Sequence, residues 1–291
     1  MHHQPLVTIV CLCYNHEEFV IEALDSVINQ DYKNIELIIV DDFSSDNSVV
    51  LIEKWLINHP EVLFIKNSFN SGNTKSFNHA LKKANGTYII DLATDDRLLP
   101  NCISSQLKAF ENSQFQDLAV VYANFNLIDK EGKITNVYFQ ENEFPQSGNV
   151  YEMVISRSVK LGSIATIYNT EVLKKVGGYD ESLAYEDLDI WVRISRNYNF
   201  EYINEVLAEK REIQTSLSSQ FLKKNNNQTK FLHQSTLKIF YKILELNSSK
   251  KENRLVINRM YFELHKFISA REWKLSFTLF QLIIKAYIKS I

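Results

Sequence analysis

Three short polar dipeptides, each closing or following an apolar run, are the residues best placed to do chemistry. They are Tyr14-Asn15 at the end of LVTIVCLCY, Asp41-Asp42 closing IELIIVDD, and Asp95-Asp96 in TDDRLLP. If these runs lie side by side with their ends on one rim, that rim gathers an aromatic ring and four carboxylates. Carboxylates pushed together repel one another, so the cluster calls for a cation, and hard oxygen donors suit Mg²⁺ or Mn²⁺. A substrate diphosphate is the natural partner of such a metal. Taken singly, an aspartate after a strand starts a turn or caps the next helix. Two pairs at equivalent strand ends weigh towards a site, whereas Asp46 reads as a helix cap and Asp25 as a surface residue.

The elements that must position these residues follow from the hydrophobic pattern. Leu6–Tyr14 and Ile35–Asp42 are β-branched apolar runs of strand length, separated by a helical pattern at Phe19, Ile21, Leu24, Val27 and Ile28. A helix from Asp46 to about Asn58, a strand over Val62–Lys66, a helix over Thr74–Ala84 and a strand over Thr87–Leu92 continue the alternation, with a further helix after Pro100. Near-continuous apolar strands separated by helices predict an α/β domain, doubly wound around a mostly parallel sheet. In such a sheet ligands bind where the carboxyl ends of the strands open onto loops.

Composition removes several classes. The chain has 291 residues with 45% hydrophobic and 23% charged, near globular averages. None of its seven glycines forms the G-x-G-x-x-G of a dinucleotide site or a Walker A loop, and His16-Glu17 is followed by Val20 where a metalloprotease helix needs histidine. Cys11, Cys13 and Cys102 are odd in number and lie in or beside apolar runs, as reduced buried thiols do. The N-terminus has no signal-peptide pattern, and no apolar stretch is long enough to span a bilayer, so a cytoplasmic protein is expected.

The net charge of -3 hides an asymmetry. Residues 1–219 carry 18 Lys+Arg against 31 Asp+Glu, whereas residues 220–291 carry 14 against 4. The polar stretch KKNNNQTK (223–230) places a boundary near Gln220, with a basic helical region of 220–291 beyond it. In its last helix Lys274, Thr278, Gln281, Lys285 and Lys289 make one polar stripe, and Phe277, Phe280, Ile283, Ile284, Tyr287 and Ile288 a broad apolar face. That helix either packs on its own protein or on a second subunit, or it lies in a membrane interface through 273–291. Nucleic acid is not the expected partner, since basic charge alone is weak grounds for it.

With these motifs in hand, the sequence resembles the family 2 glycosyltransferases of the GT-A fold over roughly residues 5–219. The resemblance rests on VTIVCLCYN, Gln30-Asp31-Tyr32, ELIIVDDFSSDNS, Asn70, Gly72 and Asn78, ANGTYII, TDDRLLP, and GSIATIYNTEVLKKVGGYDESLAYEDLDIWVRIS. It implies a nucleotide-binding half of about 5–100, an acceptor-side half of about 101–219, and an inverting, metal-dependent transfer of a sugar from a nucleotide diphosphate donor. UDP-sugars are the family's commonest donors. The implied acceptor is a glycan or lipid-linked glycan, as in capsule or O-antigen assembly, which would put the protein on the cytoplasmic face of the membrane. Homo-oligomerisation is left open.

Carried over by position, the resemblance makes Asp187 of the Glu186-Asp187 pair the base that takes the acceptor hydroxyl's proton, with Glu186 and Trp191 on the acceptor side. Tyr14 and Asn15 would flank the nucleotide base, Asp42 would accept from its N–H, Asp41 would support the loop, and Asp95 and Asp96 would hold ribose, diphosphate and the Mn²⁺ or Mg²⁺. The departures are Leu12 for proline, Ala93 for the first aspartate of Asp-x-Asp, Phe77 for an arginine whose diphosphate contact is either missing or moved to Lys75, and Ile213 for a further histidine ligand. A nucleotidyltransferase would want a Gly-rich basic loop where Asn15-His16-Glu17-Glu18 stands. A non-catalytic sugar-nucleotide or glycan-binding protein is the alternative that Ala93 and Ile213 favour.

Overall fold

Apolar runs that alternate with helical patterns along the first hundred residues become alternating strands and helices in the computed structural model, which describes residues 4–143, 145–156, 162–212 and 220–291. In order they are β1 (Val7–Cys13), α1 (Val20–Ile28), β2 (Ile35–Asp41), α2 (Ser48–Leu56), β3 (Leu63–Lys66), α3 (Asn73–Leu81) and β4 (Tyr88–Ala93). Helix α1 shows why the pattern is decisive. Val20, Ala23, Leu24 and Val27, at spacings of three and four, are its buried residues. Its neighbour α2 is tied to it by Trp55, whose indole N–H donates to Asp25 Oδ1 at 2.8 Å, so exposed Asp25 also joins two helices.

The chain continues through β5 (Arg97–Leu98), α4 (Cys102–Asn112), β6 (Leu118–Ile128), β7 (Ile134–Val137), α5 (Tyr151–Ile155), β8 (Thr166–Asn169), α6 (Thr170–Lys175), α7 (Asp187–Ser195) and β9 (Asn199–Arg211). The described strands form one sheet in the order β3-β2-β1-β4-β8-β6-β9-β5, with β7 paired to β6. Pairing is parallel from β3 to β4 and again between β6 and β9. It turns antiparallel at β8, which inserts between β4 and β6. The first four strands are thus joined by helical crossovers, as parallel pairing demands, and the expected α/β class holds.

The described residues group into two compact units. One comprises Met1–Gly148, Gly162–Tyr179 and Tyr198–Glu212, and the other Asn149–Leu161, Asp180–Asn197 and Ile213–Ile291. Residues before 219 therefore contribute to both. Helices α5 and α7 share the second unit with α8 (Asn227–Leu246), α9 (Lys250–Ser269) and α10 (Trp273–Ser290). Asn226 caps α8 by accepting from Gln228 N and Thr229 N, and Ser249 with Glu252 forms a capping box on α9. At the far end of α10, Arg254 donates to the Ser290 carbonyl at 3.2 Å and Asn253 to that of Lys289 at 3.4 Å.

Two local expectations change. Asn47 stands at the N-cap position of α2 without a side-chain cap bond, and Asp46, one residue earlier, accepts from Ser48 N, the first N–H of the helix, and from Glu17 N, at 2.9 Å each. In α10 the buried side chains include Ser276, Leu279, Leu282, Ile283 and Ala286, so Ile283 leaves the apolar face assigned to it and turns inward. No described helix is long and apolar enough to cross a membrane. The three cysteines are buried and free.

Within α8, His233 is fully buried, stacks on Phe267 with ring centroids 4.1 Å apart and meets the Phe221 carbonyl through Nε2 at 3.1 Å. Burial pulls its pKa down to about 4 from 6.5. The unfolded chain takes up this proton below its own pKa while the folded chain refuses it, so stability is full above that value and falls as pH drops towards about 4. Urea unfolding at about pH 7 and about pH 4.5 should differ by roughly 2 to 3 kcal/mol from this group, at about 1.36 kcal/mol per pKa unit. His233→Phe should shrink the difference by that amount.

Candidate functional site

Strand register brings the three sequence motifs to one rim. Cys13 pairs with Asp41 and Leu12 with both Val40 and Ala93, so β1, β2 and β4 end level. Backbone bonds carry the alignment one residue further, from Asp42 N to the Cys13 carbonyl and from Thr94 N to the Leu12 carbonyl, both at 2.9 Å. The order β2-β1-β4 also makes this the point where the sheet's winding reverses, the usual crevice for a ligand in an open α/β sheet.

Beyond β1, Tyr14 is 46% exposed and Asn15 takes a left-handed backbone with φ 58°, a conformation that asparagine tolerates better than most residues. Asn15 clasps the loop after β2: its N–H donates to Ser44 Oγ at 2.9 Å and its Oδ1 accepts from Ser45 N at 2.8 Å. Asp41 is 2% exposed and accepts from Ser44 N at 2.9 Å through Oδ2, while its buried Oδ1 has no partner. Asp42 organises the next loop. Its Oδ1 accepts from Asn67 Nδ2 and from Ser71 N and Oγ, and its Oδ2 accepts from Gly72 N, all at 2.8 to 2.9 Å. Burial would raise its pKa, but these donors outweigh burial and hold the carboxyl below its ordinary value. A carboxylate offers about four acceptor directions, so Oδ1 is filled and Oδ2 keeps one.

After β4, Asp95 and Asp96 sit in a tight turn. Arg211, 4% exposed at the end of β9, fixes that turn from behind: its backbone N–H donates to Asp96 Oδ1 at 2.8 Å and its Nε to the Asp95 carbonyl at 3.0 Å. The rest of its guanidinium donates to the carbonyls of Asp129 and Lys130 and to Glu22 Oε2 at 2.7 to 3.0 Å, and lies over the Phe19 ring at 4.4 Å. Burial first, then the charge of Asp95, push the Asp96 pKa well above its ordinary value.

That crowding is what a cation relieves. Among the described residues no cluster of three His, Cys, Asp or Glu side chains is placed to hold a metal. Asp95 and Asp96 fit an ion bound by one or two protein carboxylates plus substrate phosphates, the usual arrangement for Mg²⁺. Ile213, the position without the further histidine ligand, lies outside the described residues.

His16 is the rim residue that sequence reading passed over. Its Nδ1 lies 2.9 Å from Thr94 Oγ1 and its Nε2 4.0 Å from Asp95 Oδ2, so one imidazole joins the β1 loop to the Asp95 turn. Its failure to complete a metalloprotease motif was the only signal it gave. Lys75 is exposed on the first turn of α3. Phe77 is fully buried and stacks on Tyr179 with centroids 4.2 Å apart, away from any phosphate role. Asn78 grips the same tyrosine, donating to its carbonyl at 2.8 Å and accepting from its N–H at 2.9 Å. Gly178 has φ 67°, and a Cβ there would stand 2.6 Å from Asn78 Oδ1, so this contact requires glycine. The Tyr179 hydroxyl lies 3.0 Å from Asp91 Oδ2, whose pKa desolvation pushes up to about 7.

Glu186, Asp187 and Trp191 belong to the second unit. Glu186 is the N-cap residue of α7 and Asp187 its first residue, partly exposed, with Oδ1 accepting from Leu188 N at 2.6 Å. Trp191 is 3% exposed, packed in that unit's core. Asp189, 1% exposed, holds Lys242 at 2.6 Å and Arg193 at 2.7 Å, and Lys242 also binds Asp180 at 2.6 Å. These charges pin α7 to α8.

The loop held by Asp42 gives a direct check. Asp42→Asn strands at least one of the Ser71 and Gly72 backbone donors, which costs about 1–3 kcal/mol. Urea unfolding should show that loss, and a change below about 0.5 kcal/mol, the range of neutral surface substitutions, would contradict the role.

Known proteins resemble this chain in sequence and in fold. The family model described as "Glycosyl transferase family 2" matches residues 8–161. An uncharacterized glycosyltransferase of Rickettsia typhi is 31% identical over 214 residues, 72% of this chain and 64% of its own length, so the chain spans less than two thirds of that relative. The Escherichia coli UDP-Glc:alpha-D-GlcNAc-diphosphoundecaprenol beta-1,3-glucosyltransferase WfaP is 31% identical over 192 residues, 65% of this chain and 70% of its own. Among solved structures, TarS 1-349 of S. aureus in complex with UDP-GlcNAc superposes with a TM-score of 0.72 over 97% of this chain and 81% of that one at 17% identity. The Pyrobaculum calidifontis mannosyltransferase PcManGT in complex with GDP-Man and Mn²⁺ does so with 0.63 over 99% and 88% at 15%. Both likenesses are of fold, which is the GT-A fold of glycosyltransferases. With the family model covering more than half of its length, the chain belongs to glycosyl transferase family 2.

Proposed function

We propose that this chain transfers one sugar from a nucleotide diphosphate donor, UDP-linked, to a hydroxyl of a glycan or lipid-linked glycan, inverting the anomeric carbon. The observation that carries the reading is the level ending of β1, β2 and β4, which gathers Tyr14, Asp42 and the Asp95-Asp96 turn. The exposed Tyr14 ring flanks the base, and the remaining acceptor direction on Asp42 Oδ2 takes the imide N–H of uracil. Asn15 and Asp41 shape the loops that hold it, and Lys75 supplies a charge to the diphosphate. Asp95 and Asp96 hold Mn²⁺ or Mg²⁺, which when bound offsets the charge of the leaving nucleoside diphosphate. Donor-bound neighbours of the same fold, and a relative whose name gives a UDP-glucose donor and a polyprenyl diphosphate acceptor, support this reading.

Asp187 is the base in this scheme, with Glu186 and Trp191 on the acceptor side of the same helix. Inverting transfer needs one carboxylate to accept the acceptor hydroxyl's proton as its oxygen attacks the anomeric carbon and the bond to the diphosphate breaks. Asp187 sits in the first turn of α7, where the helix dipole favours negative charge.

Calorimetry with UDP, GDP, CDP and dTDP, each with and without Mn²⁺, tests the donor half. UDP should bind, more tightly with the metal, and Asp95→Asn should erase the metal's contribution. Failure of all four to bind would instead favour a non-catalytic glycan-binding role, the alternative that Ala93 keeps open. Asp187→Asn tests the base: UDP release from UDP-sugar with acceptor should fall by about 10²–10⁴, the usual worth of a general base, with UDP affinity unchanged. Undiminished release would overturn the assignment.

A further inference from the structure

Helix α10 divides its surface three ways. One side packs inward through Leu279, Leu282, Ile283 and Ala286. A second arc, Trp273, Phe277, Phe280, Ile284, Tyr287 and Ile288, follows spacings of three and four residues and is 46% to 68% exposed throughout. So continuous an apolar and aromatic strip is far from the scattered exposed residues of an ordinary surface. Between the two lies a polar border. Lys274 and Lys285 stand three turns apart on nearly the same line of the helix, both exposed, with exposed Gln281 between them.

We propose that this arc is a docking face for an anionic lipid bilayer, with α10 lying in the plane of the interface. Trp and Tyr rings are the side chains that settle at the headgroup level, and phenylalanine and isoleucine extend below it. Lys274 and Lys285 border the arc where anionic headgroups would stand. The charge of the region selects this occupant over a second copy of the chain. Residues 220–291 carry 14 Lys+Arg against 4 Asp+Glu, so two copies meeting through α10 bring like charges together, whereas an anionic surface attracts them. The inference goes beyond the donor and acceptor proposed above, since docking needs neither, and each can fail without the other.

The test is flotation of the full chain with vesicles of phosphatidylcholine alone and of phosphatidylcholine mixed with phosphatidylglycerol. The wild type should float with the anionic vesicles. Binding should fall by about tenfold or more on vesicles without anionic lipid, in the triple variant Phe277→Ser, Tyr287→Ser, Ile288→Ser, and in the double variant Lys274→Glu, Lys285→Glu. All five positions are exposed, and circular dichroism with UDP calorimetry checks that the variants remain folded. Equal flotation of wild type and triple variant, or none by the wild type, would overturn the proposal. So would a concentration-dependent dimer in sedimentation that the triple variant dissolves, because a second copy would then cover the face.

Discussion

Parallel pairing of β1 with β2 on one side and β4 on the other is the constraint on which the candidate rim depends. The pairs Cys13 with Asp41 and Leu12 with Ala93 set the level at which each strand gives way to its loop. A slip of one residue would turn every side chain of a strand to the opposite face. The buried apolar side chains of β1 forbid that slip, since Val7, Ile9, Val10, Cys11 and Cys13 each have a fitted place in the core. Packing far below the rim thus determines where Tyr14, Asp42 and Asp95 stand.

The loops above the strands are cross-braced by polar contacts. Asn15 holds Ser44 and Ser45, His16 reaches Thr94, Asp42 closes the loop to Gly72, and Arg211 backs the Asp95-Asp96 turn. Each joins segments distant in sequence, so the rim is organised before any ligand arrives. Pre-set donors and carboxylates of this kind give electrostatic preference without reorganisation at the moment of reaction.

Strand ends were legible because apolar runs of strand length stop abruptly at Tyr14, Asp41 and Asp95, and alternation with helical patterns fixed the class of sheet. What was not legible has a common physical origin. His16 and Thr94 are 78 residues apart, Arg211 and Asp95 116, and Asn78 and Tyr179 101, and no local pattern announces a contact at such separation. The antiparallel insertion of β8 depends on a neighbour rather than on its own four residues. In α10, helical spacing correctly gave an apolar side but could not divide it between the inward Ile283 and the outward Phe277, Ile284 and Tyr287, because that division is made by the helices it packs against.

Arg211 binds mostly backbone. Its guanidinium meets the carbonyls of Asp95, Asp129 and Lys130, groups that every residue type possesses. The turn that carries the paired aspartates is therefore held to Arg211 partly through backbone, with Asp96 Oδ1 adding a side-chain tie to the Arg211 N–H. Substitutions in side chains outside that tie can accumulate while the scaffold persists, which separates the heritability of the pocket from the heritability of its chemistry.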